Sequence, residues 1–292
     1  PRVLSDPVSR VPGRVSHLRF SPPAGIIAAM REVQPILRSV QVPARPASSY
    51  DVVIGHGLLP HIVPELRRDW PGLRLFAVTD ANVREWGHLR ELVGGQGVQS
   101  FVIDPPGEAS KTLRTLEAIL TAMEQEHLGR DTLLVALGGG LVGDVAGLAA
   151  AIFKRGVPCV QVPTTTVAQA DSGLGGKVSV DSSLSKNAYG AFHHPVRVYV
   201  DVATLQTLDD RHYRAGLVES LKHAMIADAA YVAFLEAHLD ALLRREAEAL
   251  VALAEREGRF ETDVAAVRQN EAHVCYLALA YLSGHSAKAA NM

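Results

Sequence analysis

The stretch 138-GGGLVGDVAGLAAAIFKRG-156 decides the fold, because it follows 131-DTLLVAL-137 without a break. A short apolar run of this length, closed by glycine, reads as a buried strand. The apolar, alanine-rich run 145-VAGLAAAIF-153 reads as a helix. It is far short of the roughly 20 residues that a membrane span needs. Gly138, Gly140 and Gly143 satisfy G-x-G-x-x-G between the two elements. Bare backbone there permits a tight turn and lets a pyrophosphate approach the helix N-terminus, whose free N–H groups and partial positive charge favour an anion. The same glycines also suit a tight turn with no ligand. Asp144, in the first helical turn, is either part of such a site or a residue that complements the helix dipole. The acid that usually follows the next strand is missing, since that place reads 163-PTTT-166.

Outward from this turn the pattern repeats. Short β-branched runs stand at 51-DVVIG-55, 73-LRLFAVTD-80, 99-QSFVID-104, 158-PCVQVP-163 and 197-RVYVD-201. Between some of them lie helical patterns such as 111-KTLRTLEAILTAMEQEHL-128, apolar at three- and four-residue intervals. Alternating strands and helices predict an α/β, Rossmann-like domain with a mostly parallel sheet and helices on both faces. After about residue 204 the strands stop and helical patterns take over, at 212–228, at 230–257 and in a last stretch to about 282. The reading is a leader over 1–45 with a short helix near 26–37, an α/β domain over 46–203, and an all-helical domain over 204–292 that is incomplete.

With 292 residues, of which 48% are apolar and 21% charged, the chain is expected to pack a core rather than stay disordered. A net charge of −2 argues against nucleic-acid binding and against a polybasic membrane binder. Two distant cysteines, Cys159 and Cys275, suit a reducing compartment, and the Arg- and Pro-rich start has no apolar core of a secretory signal. A cytoplasmic location is the expectation.

Other candidate residues each carry two readings. Asp80 and Asn82 close the second strand, where α/β proteins gather ligands, but an acid there is also an ordinary helix cap. Glu108 and Lys111 fit a plain helix start. The segment 171-DSGLGGKVSVDSSLSKN-187 reads as a loop carrying Asp171, Lys177, Lys186 and Asn187, with Arg155 at the end of the preceding helix. It is either a solvated surface or a pocket for a polyanionic small substrate. Glu219 and Lys222, three apart on a helix, form a surface ion pair or, on a helix facing a cleft, a metal ligand and a substrate contact.

These segments together resemble 3-dehydroquinate synthase, of the sugar-phosphate cyclase superfamily, from about residue 50 to 260. The resemblance is carried by GGGLVGDVAG, FKRGV, VPTTTVAQADSGLGGK, SKNAYGAFHHP and AGLVESLKH, in the family's order and spacing. It implies an NAD-dependent lyase or cyclase of the shikimate pathway. The substrate would be a small phosphorylated sugar acid, 3-deoxy-D-arabino-heptulosonate 7-phosphate, converted to 3-dehydroquinate and phosphate. It implies cofactor contacts at Asp80, Asn82, Glu108, Lys111, Gly139, Gly140, Gly143, Asp144, Thr164 and Thr165. It implies substrate and catalytic roles for Arg155, Asp171, Lys177, Lys186, Asn187 and Lys222. Zn2+ or Co2+ would be held by Glu219 and His285, and the protein would form a homodimer.

Past residue 260 the chain departs from that pattern. Glu261 stands where the family has lysine, Leu282 where it has asparagine, and Ala289 where a second histidine belongs. Glu219 and His285 leave the metal short of the three protein ligands expected of a catalytic zinc. The competing readings are a related cyclase of aminodehydroquinate, valiolone or inosose type, and an inactive NAD-binding homologue or truncated gene product.

Overall fold

The computed structural model describes residues 49–227 and 229–263. The expectations placed on residues 1–45, on the stretch to 282, and on Leu282, His285 and Ala289 lie outside the described residues, as does the side chain of Glu261.

Six strands form one parallel sheet: β1 (Asp51–Gly55), β2 (Arg74–Asp80), β3 (Gln99–Ile103), β4 (Thr132–Gly138), β5 (Cys159–Pro163) and β8 (Arg197–Asp201). Their order is β1-β8-β5-β4-β2-β3, with every neighbouring pair parallel. The chain passes from β2 outward to β3, returns to β4, and then builds the other way through β5 to β8. The direction reverses between β2 and β4, and ligands of open α/β sheets bind at the carboxyl end of such a reversal. Gly138 closes β4 there, and Asp80 closes β2 two residues beyond the last pair, Val78 with Ala136.

Helices cover both faces because each central strand is apolar on both. On one face Leu134 and Ala136 pack with Leu116, Ile119 and Met123 of α4 (Leu113–Gln125) and with Val142, Val145 and Ala149 of α5 (Gly140–Ile152). On the other, Leu133, Val135 and Leu137 pack with Leu59, Ile62 and Leu66 of α1 (Leu59–Asp69), joined by Val83 and Leu92 of the short helices α2 (Ala81–Glu85) and α3 (His88–Val93). Next to the β1 edge, Val198 and Val200 of β8 pack against helices from the later part of the chain, α6 (Asp210–Ala227), α7 (Ala229–Leu243) and α8 (Ala247–Asp263). Among the described residues, no helix is long and apolar enough to cross a membrane.

Two readings need correction. The segment 171–187 is not a single loop. A π-helical turn, Ala168–Ser172, leads into β6 (Lys177–Val180), which pairs antiparallel with β7 (Tyr189–Phe192). The hairpin buries Val178 and Val180 over α5, so four residues of true alternation sit among glycines and serines that read as loop. The helical pattern over 230–257 is broken at Arg245, which has φ +58°. Its guanidinium donates to the Leu205 and Gln206 carbonyls and pairs with Asp210, turning α7 into α8.

Asp201 ties the end of β8 to the start of α1. Buried at the end of β8, its carboxylate accepts from the backbone N–H of Gly57, Leu58, Leu59 and Ala203 at 2.6–3.0 Å. It thereby caps α1 from a strand more than a hundred residues away. No local pattern marks it in the sequence.

Candidate functional site

A cleft of about 500 Å3 opens beside the first turn of α5, between that helix and the β6–β7 hairpin. Its polar walls are Asp144, Asp171, Ser172, Lys177, Ser179 and Asn187.

The glycine turn adjoins the cleft where Gly140 meets Ser172. Gly139 is the N-cap of α5, with no side chain to satisfy the first helical N–H groups. Space there is tight: a methyl group on Gly139 would lie 3.0 Å from Thr165 Cγ2, and one on Gly143 would lie 2.9 Å from Gln161 Oε1. A methyl on Gly140 would sit 3.1 Å from Ser172 Oγ, and that hydroxyl is buried with no hydrogen-bond partner. An orphaned hydroxyl costs stability unless something completes it. A helix N-terminus, bare backbone and a spare hydroxyl fit the pyrophosphate of a dinucleotide. Sequence reasoning left Ser172 unnamed, although it sits between Asp171 and Gly173.

Of the remaining candidates of the cofactor set, Thr164 and Thr165 touch this turn and the others lie on neighbouring elements. Thr164 N–H donates to the Gly138 carbonyl at 2.9 Å, and Thr165 Oγ1 accepts from Ala168 N–H at 3.2 Å. Asp144 lies one turn further into α5 than the expected first turn, because the helix begins at Gly140; it is largely buried and pairs with Lys111 Nζ at 2.5 Å. Burial pushes its carboxyl above the ordinary range, against the pull of the Lys111 ammonium. Asp80 caps α2 through Val83 N–H at 3.0 Å, and burial raises its carboxyl too. Asn82 is exposed on α2. Glu108, on a 3-10 turn before α4, pairs with Lys186 Nζ at 3.1 Å.

The cationic set is partly gathered. Lys177 and Asp171 pair at 3.2 Å in the cleft wall, with Asn187 beside them and Lys186 on the adjoining loop. Arg155 does not join them. It is exposed beyond the C-terminal end of α5, and a helix of 13 residues sets it about 20 Å from the glycine turn. The sequence order FKRG after the helix hides that length.

Glu219 and Lys222 are bonded to each other on α6 and do not line this cleft. Glu219 also lies 3.4 Å from His223 Nε2, while His223 Nδ1 reaches Glu257 of α8 at 2.6 Å. Tyr231 OH donates to the other Glu257 oxygen at 2.5 Å. The hydrogen bond from His223, against burial and with help from Lys222, holds the Glu219 carboxyl near 2. Burial works against charge on His223, but its bonds to Glu219 and Glu257 prevail and raise it to about 9. Among the described residues, no three His, Cys, Asp or Glu side chains form a metal-holding group. Glu257 went unread because its partners lie 26 and 34 residues away.

A family model described as 3-dehydroquinate synthase N-terminal matches residues 101–215. The chain is 39% identical over 264 residues to the 3-dehydroquinate synthase of Nitrobacter winogradskyi, covering 89% of this chain and 68% of that protein. It is 41% identical over 241 residues to that of Methylococcus capsulatus, covering 81% and 66%. Among solved structures it is similar to 2-epi-5-epi-valiolone synthase from Streptomyces hygroscopicus with NAD+ and Zn2+ bound. That match has a TM-score of 0.68 and 32% identity, over 79% of this chain and 64% of the other. An iron-containing alcohol dehydrogenase from Thermotoga maritima, at 18% identity and a TM-score of 0.59 over 74% of this chain and 67% of the other, shares the fold. The chain spans about two thirds of the length of these relatives.

Proposed function

The chain belongs to the 3-dehydroquinate synthase family, and from that membership we propose that it binds NAD at the α5 turn and converts 3-deoxy-D-arabino-heptulosonate 7-phosphate to 3-dehydroquinate and phosphate. The observation that carries this reading is one cleft with two unlike ends. One end holds the orphaned Ser172 hydroxyl, set against the bare-backbone turn at Gly140, and the other is a hairpin carrying Lys177 and Asn187.

NAD, when bound, supplies reversible hydride transfer, so that the overall conversion is redox-neutral. The chain's own residues hold and orient. Gly139, Gly140 and Gly143 admit the pyrophosphate, with Thr164 and Thr165 across the turn. Asp80, Asn82, Glu108 and Lys111 stand toward the adenosine side, and Asp144, paired with Lys111, lies at the boundary with the substrate. Lys177 and Lys186 attract the phosphate and carboxylate of the sugar acid, and Asp171 holds the Lys177 ammonium in place. Fixed cations in a cleft favour the bound dianion and the phosphate as it departs. Lys222 on α6 and Arg155 complete the proposed set from outside this cleft. Glu219 is the described residue offered to Zn2+ or Co2+, and its proposed companion His285 lies outside the described residues. The described side chains do not by themselves complete a metal site.

Two coarser proposals accompany this. Residues 46–203 form the NAD-binding α/β domain and 204–292 the substrate and metal domain. The protein works as a cytoplasmic homodimer, in keeping with the free thiol of Cys159.

The test is phosphate release from the heptulosonate phosphate with NAD and Zn2+ or Co2+, run beside sedoheptulose 7-phosphate and the amino analogue. Release from the first substrate alone supports the reading. Release from another assigns a different cyclase. NAD binding without release from any marks a nucleotide-binding chain without turnover.

A further inference from the structure

Lys111 is 5% exposed, and an ammonium held that far from water needs partners of opposite charge or strong acceptors. It has two. One is Asp144 Oδ2 at 2.5 Å, in the first turns of α5. The other is Asn187 Oδ1, on the loop between β6 and β7. Three segments remote in sequence therefore meet at one nitrogen.

The backbone repeats the connection. The Lys111 carbonyl accepts from Asp181 N–H at 2.9 Å, and Thr112 bridges Asp181 in parallel. Asp181 Oδ1 in turn accepts from Asn187 N–H at 2.6 Å. Asn187 itself has φ +54°, a left-handed conformation that asparagine tolerates better than most residues. Ser179 Oγ donates to the same Asn187 oxygen at 2.9 Å.

This fixes which end of the amide faces where. Lysine has three donors and no acceptor, so the group facing it must be the amide oxygen. With two donors on that oxygen, the Asn187 NH2 is the end left for a ligand in the cleft that Asn187 lines. Lys111 also compensates the Asp144 carboxylate against the burial that would neutralise it.

We propose that Lys111 is a positioning residue that couples the two halves of the site, holding the Asn187 amide so that its NH2 donates to the sugar-acid substrate while pairing with Asp144 at the nucleotide end. The proposal rests on the functional reading above, with nucleotide at the α5 turn and substrate at the hairpin.

The test is a binding cycle by calorimetry, using NAD+ and then 3-deoxy-D-arabino-heptulosonate 7-phosphate on the NAD-loaded protein. The chains are wild type, Lys111→Met, Lys111→Arg, Asn187→Ala and the double variant Lys111→Met/Asn187→Ala. Loss of a charge-assisted hydrogen bond corresponds to roughly a 10- to 100-fold loss of affinity. Lys111→Met is expected to weaken substrate binding by about as much as Asn187→Ala. The double variant should weaken it no further, and Lys111→Arg should restore part of it. Asn187→Ala should leave NAD+ affinity within about twofold, because its lost donor serves the substrate. Additive losses in the double variant, with both ligands bound by wild type, overturn the positioning role. So does substrate affinity unchanged in Lys111→Met. Wild type that binds neither ligand overturns the functional reading and this proposal with it. Should Lys111→Met not fold, the same comparison is made with Lys111→Gln.

Discussion

Gly216 of α6 stands so close to Thr166, just past β5, that a methyl group added to the glycine would lie 2.2 Å from Thr166 Cβ. Thr166 Oγ1 donates to the Tyr213 carbonyl one turn earlier, at 3.0 Å. The contact seats α6 over the carboxyl end of the sheet, and no larger residue fits it.

Gly216→Ala must therefore move the helix or Thr166. Overpacking of this kind costs about 1–3 kcal/mol. The expected outcome is a lower urea midpoint with an unchanged slope. A midpoint equal to that of wild type would show that α6 does not rest on Thr166.

Ser172 offers a prediction in which stability and binding move apart. Its hydroxyl is buried and unpartnered beside Gly140. Removing an unsatisfied hydroxyl relieves a cost, so Ser172→Ala should match or exceed wild type in stability by about 0–1 kcal/mol. If the hydroxyl completes a nucleotide, the same variant should bind NAD+ roughly 3- to 10-fold more weakly. Fluorescence titration and thermal unfolding on one sample read both. Unchanged affinity would remove Ser172 from the nucleotide site.

Much of this was open to sequence reasoning, and for a local reason. The run Leu133–Leu137 followed by Gly138, Gly139 and Gly140 carries strand, turn and helix start within a few residues, and period and glycine placement suffice to read it. The six parallel strands follow from the same signal repeated. The hairpin of Lys177–Val180 and Tyr189–Phe192 did not show, because its alternation is only four residues long and lies among glycines and serines. Asp201 and Glu257 did not show at all. Each acts on groups supplied by chain far away, and a lone acid has no period. Of the cofactor candidates, Asp80 closes a strand and Asp144 lines the cleft from α5, whereas Asn82 is exposed on α2 and Glu108 lies on the turn before α4. Arg155 did not join Lys177, because sequence adjacency to a helix says nothing about which end of it faces the cleft.

The His223–Glu257 pair predicts a pattern of unequal losses. Both side chains are at most 4% exposed, and Tyr231 donates to the same carboxylate. Removing one member of a buried pair costs up to about 3–5 kcal/mol, of which Glu219, 3.4 Å from His223 Nε2, recovers a part. Replacing both by apolar residues removes the desolvation cost together with the attraction. Glu257→Leu should thus be more destabilising in urea than Glu257→Leu combined with His223→Leu. A double variant weaker than the single by the full cost of a second loss would mean that the two side chains do not act as a pair.

Cys159 gives the last prediction. It lies on β5 with no exposed surface, and burial pushes its thiol up to about 12 from an ordinary 9.0. The thiolate is the reacting form, so at pH 8 only about one native thiol in ten thousand would be ionised even if a reagent could reach it. Alkylation of Cys159 must then wait for unfolding. The linkage has a definite sign, since the raised value belongs to the folded chain. The contribution to stability is full below about 9.0 and is lost as pH rises toward 12. Iodoacetamide at pH 8, read by mass spectrometry on the peptide holding Cys159, should leave it unmodified in buffer and modify it in 8 M urea. Rapid labelling of the native protein at that peptide would mean that β5 is not the buried strand on which the glycine turn is built.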